Sequence, residues 1–222
     1  MIKIGRGFFN FILEPVVDNS IGEVIGYEIL CRSCDSPVDN EVFFRNLAIE
    51  ELKKVFFAQI DYFLQALIEN KITANQLFVN APVALLLDDE IICSLARVKK
   101  NMVVNVEIEL DFESKECIQQ IILGRNRLMA SGASVQIWLD DVTTSRFFSL
   151  KKWADLGFNI KVDKKSFWSF YESKKIPRQL LALPEHRFII EGVESIEHVN
   201  FLRGHKVNLV QGYFWPALIC DL

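Results

Sequence analysis

The sequence predicts an α/β fold, a single (β/α)8 TIM-like barrel with an irregular antiparallel first strand pair, built as one domain over residues 1–222. Three observations lead there. Short β-branched and aromatic runs alternate with longer segments of helical period, as parallel β-α units require. About eight such runs fit within 222 residues, close to the ~250 residues typical of a closed barrel of this kind. No linker, internal repeat or low-complexity tract divides the chain.

The elements follow in order. Residues 11–17 and 24–30 are strand-like and flank the turn signal Asp18-Asn19-Ser20 with Gly22, so they pair as a hairpin. Residues 50–70 form a long amphipathic helix with Val55, Phe56, Ile60, Phe63, Leu64 and Leu67 on one side. A strand at 76–80, a helix at 83–97 and a strand at 103–110 come next. The pattern continues with a helix at 114–130, a strand at 135–139 and a helix at 145–156. A strand at 159–162, a helix at 165–183, a strand at 187–190, a helix at 196–203 and a strand at 209–214 complete it.

Half of the residues are hydrophobic and 24 % are charged, which supplies a sizeable core and speaks against disorder. A net charge of −4 argues against direct nucleic-acid binding, which needs a basic face. The five cysteines include one C-x-x-C pair, Cys31 and Cys34, without the second pair a zinc knuckle needs. Residues 1–10 lack the features of a secretory leader, and no apolar stretch approaches the ~20 residues of a membrane helix. These features predict a soluble, cytoplasmic protein.

Chemistry in such barrels gathers where the strands end. Polar residues fall there strand after strand: Glu28, Asn80, Glu107 with Glu109, Asp140 with Asp141, Lys161, Glu191 and Gln211. Unpaired buried charges cost several kcal/mol each, so such a set implies a shared partner. Carboxylates and a carboxamide offer only oxygen donors, the set for Mg²⁺ or Mn²⁺ rather than zinc or copper. His186, His198 and His205 do not cluster, and neither a Ser-His or Cys-His nucleophile arrangement nor a P-loop is present.

These residues carry a resemblance. Leu13-Glu14-Pro15-Val16-Val17 and Gly26-Tyr27-Glu28-Ile29-Leu30-Cys31-Arg32 resemble the opening of the EAL family of cyclic-di-GMP phosphodiesterases, with Glu-Ile-Leu in place of the signature tripeptide. Phe78-Val79-Asn80, Val106-Glu107-Ile108-Glu109, Trp138-Leu139-Asp140-Asp141 and Ile160-Lys161-Val162-Asp163 resemble its later strands. Glu191-Gly192-Val193-Glu194-Ser195 and Val210-Gln211-Gly212-Tyr213 match closely. The likeness runs from about Phe11 to Pro216 and implies hydrolysis of one phosphodiester bond by a two-metal mechanism with Mg²⁺ or Mn²⁺. It implies that Glu28, Asn80, Glu107, Asp140, Asp141 and Glu191 hold or approach the metals, with Glu109 an alternative to Glu107. It implies catalytic roles for Lys161, Glu28 and Glu191, Lys161 orienting the attacking water, with Gln211 and Glu194 behind the ligands. Arg32 would bind a substrate phosphate, and Glu14 and Asn208 would stand among the substrate-binding positions.

The match fails in places. The family's glycine-rich loop after the paired aspartates is Val142-Thr143-Thr144-Ser145 here, and the glutamate that anchors that loop is Leu110. Glu14 stands where the family has glutamine, and Asn208 where it commonly has aspartate. The altered loop implies weakened catalysis. Two readings follow from the resemblance. One is a degenerate member with weak or no phosphodiesterase activity, regulating by contact with a protein partner such as the flagellar master regulator of transcription, as free-standing enteric relatives do. Arg146, Phe147 and Phe148, with Trp153 on the same helix, are its candidate interface, unless the two phenylalanines simply pack onto the barrel. The other is an active, slower cyclic-di-GMP phosphodiesterase. Binding of cyclic di-GMP without cleavage lies between them.

Overall fold

The structure is a computed structural model and describes residues 2–4, 7–34, 40–98, 102–109 and 115–219. Leu110 and Cys220 lie outside these residues. Among the described residues nine strands form one sheet, β1 (Ile2–Ile4), β2 (Gly7–Asp18), β3 (Glu23–Ser33), β4 (Gln76–Asn80), β5 (Val103–Glu109), β6 (Val135–Val142), β7 (Asn159–Val162), β8 (Phe188–Ile190) and β9 (Leu209–Gln211). From β3 to β9 each strand pairs in parallel with the next, and β9 closes the sheet by pairing antiparallel with β2. The barrel is therefore β2 to β9, eight strands with β2 reversed, and β1 extends β2 antiparallel outside the closure.

Local chemistry explains the reversed strand. Asp18 Oδ1 accepts from the Ser20 amide at 2.8 Å, and the Gly22 amide returns to the Asp18 carbonyl at 2.7 Å. Gly22 sits at φ +79°, where a side chain would be strained, so the chain turns back at once. The predicted hairpin is present, with both strands longer than the apolar runs suggested.

The crossovers are helical. α1 (Asn40–Arg45) and α2 (Ile49–Ile68) join β3 to β4, α3 (Val83–Leu86) and α4 (Asp89–Arg97) join β4 to β5, and α5 (Lys115–Ala130) joins β5 to β6. A 3₁₀ turn (Thr144–Ser149) with α6 (Leu150–Asp155), then α7 (Lys164–Ser173) with α8 (Arg178–Leu181), then α9 (Ile196–Gly204) complete the ring. α2 buries Val55, Phe56, Gln59, Ile60, Phe63 and Ala66, the predicted face with Leu64 and Leu67 at its margin. Two predicted helices are broken by their own caps. Asp88 accepts from the amides of Glu90 and Ile91 and starts α4 afresh. α7 stops where Lys174 turns left-handed at φ +54°, three residues before Pro177.

Period-two alternation along the strands sorts the barrel interior into layers. Val16, Phe78, Trp138, Ile189 and Leu209 form an apolar plug in the middle, with the Phe78 and Trp138 rings 5.6 Å apart. Beneath it Asn105 accepts from Trp138 Nε1 at 2.8 Å. The next inward positions above the plug are the polar residues singled out in the sequence. No helix of the described residues is long and apolar enough to cross a membrane.

Candidate active site

Glu28 on β3, Asn80 on β4, Glu107 on β5, Asp140 on β6, Lys161 on β7, Gln211 on β9 and Glu191, one residue past β8, converge at the mouth where the parallel strands end. Their centre is the Lys161 ammonium. Nζ stands 2.8 Å from Glu191 Oε1, 2.9 Å from Glu107 Oε1, 3.2 Å from Glu28 Oε2 and 3.3 Å from Asp140 Oδ1. Asn80 Nδ2 donates to Glu28 Oε1 at 2.8 Å and Gln211 Nε2 to Glu28 Oε2 at 2.7 Å, so the Glu28 carboxylate is held at both oxygens. Between Glu107 and Glu109, Glu107 is the fully buried member of the cluster, while Glu109 is exposed at the strand end.

An ammonium has three N–H groups and cannot serve four carboxylates at once. Both oxygens of Glu107 and Asp140 Oδ1 are buried without a properly directed hydrogen bond, although Lys161 is close enough to attract them. Their attraction to Nζ is coulombic. Burial drives the electrostatics. It pushes the Glu107 carboxyl well above the usual range, helped by neighbouring Glu28, and raises Glu191 to about 8. Burial and then Asp140 raise Asp141 to about 6. Glu28 goes the other way: burial opposes its charge, but Lys161 and the Gln211 and Asn80 amides outweigh it and its carboxyl falls below the usual range. For Lys161 the four carboxylates overcome burial and lift it well above an ordinary lysine.

The mouth opens into a cavity of about 610 Å³ lined by Glu14, Asp141, Thr143, Lys164, Lys165 and Tyr213 as well as the cluster. A second cavity of about 590 Å³ is lined by Asn80, Glu107 and Arg32 together with Phe44, Leu52, Val55 and Leu85. Gly192 and Gly212 are needed here. A Cβ on Gly192, at φ +78°, would lie 2.4 Å from Lys164 Cβ, and one on Gly212 would lie 2.3 Å from the Val193 backbone.

Some predicted residues fall elsewhere. Asp141 sits at the rim with φ +50°, inside the register shift between Leu139 and Val142. Arg32 Nη2 lies 3.4 Å from Glu14 Oε1, so the expected phosphate ligand is already beside a carboxylate. Asn208 does not belong to the mouth: it precedes β9 at the opposite end of the barrel, donates to Glu185 at 2.7 Å, and its carbonyl accepts from the Asn19 amide. Glu194 lines the first cavity, and its backbone amide meets His198 Nδ1 at 3.2 Å. In the candidate interface, Phe147 and Trp153 are buried and Phe147 packs against Phe170 with ring centroids 5.8 Å apart. Phe148 alone of the three aromatics faces solvent, 84 % exposed. The altered loop is ordered by a Thr143–Ser145 hydroxyl contact of 2.8 Å and by Ser166 Oγ, which accepts from the Thr144 amide at 3.0 Å.

Sequence reasoning missed Lys164 and Lys165, which bring two cations to the wall of an acidic mouth. Their position immediately after a strand end was the available signal.

The donors present are carboxylate and carboxamide oxygens, with buried Glu107 oxygens lacking hydrogen-bond partners, and this chemistry fits Mg²⁺ or Mn²⁺. Among the described residues no three Asp, Glu, His or Cys side chains already stand at the spacing of a metal's ligands, because the carboxylates are drawn onto the ammonium.

Residues 2–217 match the EAL domain family. Among curated proteins none is significantly similar to this chain. Among solved structures, an EAL domain protein from Listeria monocytogenes EGD-e is similar at 20% identity and TM-score 0.61, over 95% of this chain and 89% of that one. A standalone versatile EAL protein from Vibrio cholerae O395, in its c-di-GMP bound form, shares 20% identity at TM-score 0.61, over 95% of this chain and 92% of that one. BlrP1 of Klebsiella pneumoniae, in a manganese/cy-diGMP complex, shares 19% identity at TM-score 0.67, over 99% of this chain and 58% of that one.

Proposed function

The chain belongs to the EAL domain family, and on that premise we propose that it takes cyclic di-GMP at the barrel mouth with Mg²⁺ or Mn²⁺ and cleaves one phosphodiester bond slowly. The observation that carries this reading is the convergence of Glu28, Glu107, Asp140 and Glu191 on Lys161, with Asn80 and Gln211 fixing Glu28. The cyclic dinucleotide found with the Vibrio and Klebsiella proteins supports the choice of substrate.

When bound, the divalent ions would lower the pKa of water and offset charge on the attacked and leaving oxygens. Glu28, Asn80, Glu107, Asp140, Asp141 and Glu191 would hold them. Lys161, which donates to Glu28, would orient the attacking water, and Gln211 would steady Glu28 by donating to its Oε2. Lys164 and Lys165 at the first cavity, and Arg32 at the second, would draw the phosphates in. Water would add to phosphorus as one ester P–O bond breaks, its proton passing to the leaving oxygen, to give a linear dinucleotide.

Slowness follows from three features of this chain. Asp141 occupies a left-handed conformation, which aspartate tolerates better than most side chains but less readily than glycine. The loop after it lacks glycine. Glu14 adds negative charge beside Glu28 and engages Arg32. Purified protein incubated with cyclic di-GMP and Mn²⁺ should release linear dinucleotide, and Glu28→Ala should not. Equal turnover by Glu28→Ala would remove the assignment.

One observation favours a second reading, regulation through a protein partner such as a transcription regulator of motility. Phe148, directly after the altered loop, is a large aromatic left 84 % exposed. Full retention of partner binding by Phe148→Ser would exclude this surface.

A further inference from the structure

We infer that Lys161 is the protein's own counter-cation, holding the metal-free cluster together and competing with any divalent ion for it. The inference rests on the metal-binding reading above. Carboxylates from β3, β5, β6 and the residue after β8 each bring one oxygen within 3.3 Å of a single nitrogen. The Lys161 side chain is 1 % exposed and that of Glu107 is fully buried, while Asp140 and Glu191 keep 16 % and 20 % of theirs at the mouth. The cluster is over-supplied with acceptors: both Glu107 oxygens and Asp140 Oδ1 lack a directed hydrogen bond. A monovalent ammonium therefore keeps the carboxylates from repelling one another without satisfying them, and a divalent ion must draw the same oxygens off Nζ.

The test is Lys161→Met, which keeps length and packing but removes the charge. Thermal unfolding would be followed with EDTA and with Mn²⁺, and Mn²⁺ affinity measured by calorimetry or by the spin resonance of the free ion. With EDTA the variant should melt well below the wild type, and Mn²⁺ should recover most of the difference. Its Mn²⁺ affinity should exceed the wild type's several-fold, because the state competent to bind the ion no longer competes with the ammonium. If the variant folds poorly, Lys161→Met with Glu28→Gln removes one charge of each sign, since Glu28 is the carboxylate held ionised in the cluster. That double variant should be more stable in EDTA than Lys161→Met alone. A role for Lys161 in packing alone predicts no such rescue, and its absence overturns the inference. A wild type that binds Mn²⁺ while Lys161→Met binds it no more tightly overturns the inference alone. A wild type and variant that both fail to bind Mn²⁺ overturn the metal-binding reading and the inference with it.

Discussion

Replacing Phe147 and Phe148 one at a time by alanine separates a core position from a surface one at adjacent residues. Phe147 is 5 % exposed and packs on Phe170 of α7, so its truncation leaves a cavity between the 3₁₀ turn and the barrel's helical layer. Buried Phe→Ala changes cost about 3–5 kcal/mol. For a domain of this size each kcal/mol moves the melting midpoint by about 2–4 °C, so Phe147→Ala should melt roughly 6–20 °C lower. Phe148, 84 % exposed, loses almost no burial, and its variant should stay within about 0.5 kcal/mol of the parent. Circular dichroism during heating, repeated in urea, reads both. Similar melting of the two variants would refute the assignment of inside and outside at this turn. It would also reopen Arg146, Phe147 and Phe148 as a single interface.

Stability without metal should fall as pH rises from about 5 to 8. Glu191, whose native pKa of about 8 lies above the ordinary 4.5, and Asp141, at about 6 against 3.8, keep protons that the unfolded chain has lost in that window. At ~1.4 kcal/mol per unit, Glu191 sets a ceiling of about 5 kcal/mol, and a urea midpoint in EDTA that rises with pH would contradict it. Glu14→Gln should tighten cyclic di-GMP binding by up to about fivefold, since it removes a carboxylate beside Glu28 and frees Arg32 from a partly exposed pair worth at most ~1 kcal/mol. Calorimetry on the Glu28→Ala background, which removes turnover, would show it, and weaker binding would mean that Glu14 itself recognises the ligand.

The barrel and the row of polar residues at its strand ends were legible in the patterning of the chain. Strand and helix periods are local properties, and a parallel strand order with short crossovers leaves few closures. Inward positions alternate by two, so Glu28, Asn80, Glu107, Lys161 and Gln211 could be placed on one surface from spacing and motif alone. Chain-local signals also marked the Asp18–Gly22 turn, because Asp and Gly act on their own backbone. Other features depend on neighbours remote in sequence. Glu107 rather than Glu109 reaches Lys161 because the level of a residue within a barrel is set by the stagger between strands, which no single strand records. Asn208 lies at the far mouth although it is three residues from Gln211, since a strand that short spans the barrel. Phe147 and Phe148 have the same chemistry and opposite fates because successive residues of the 3₁₀ turn point about 120° apart, and only Phe147 meets α7. The sequence supplied four acids and one lysine; only folding placed the lysine at their common centre, where burial makes each charge depend on the others.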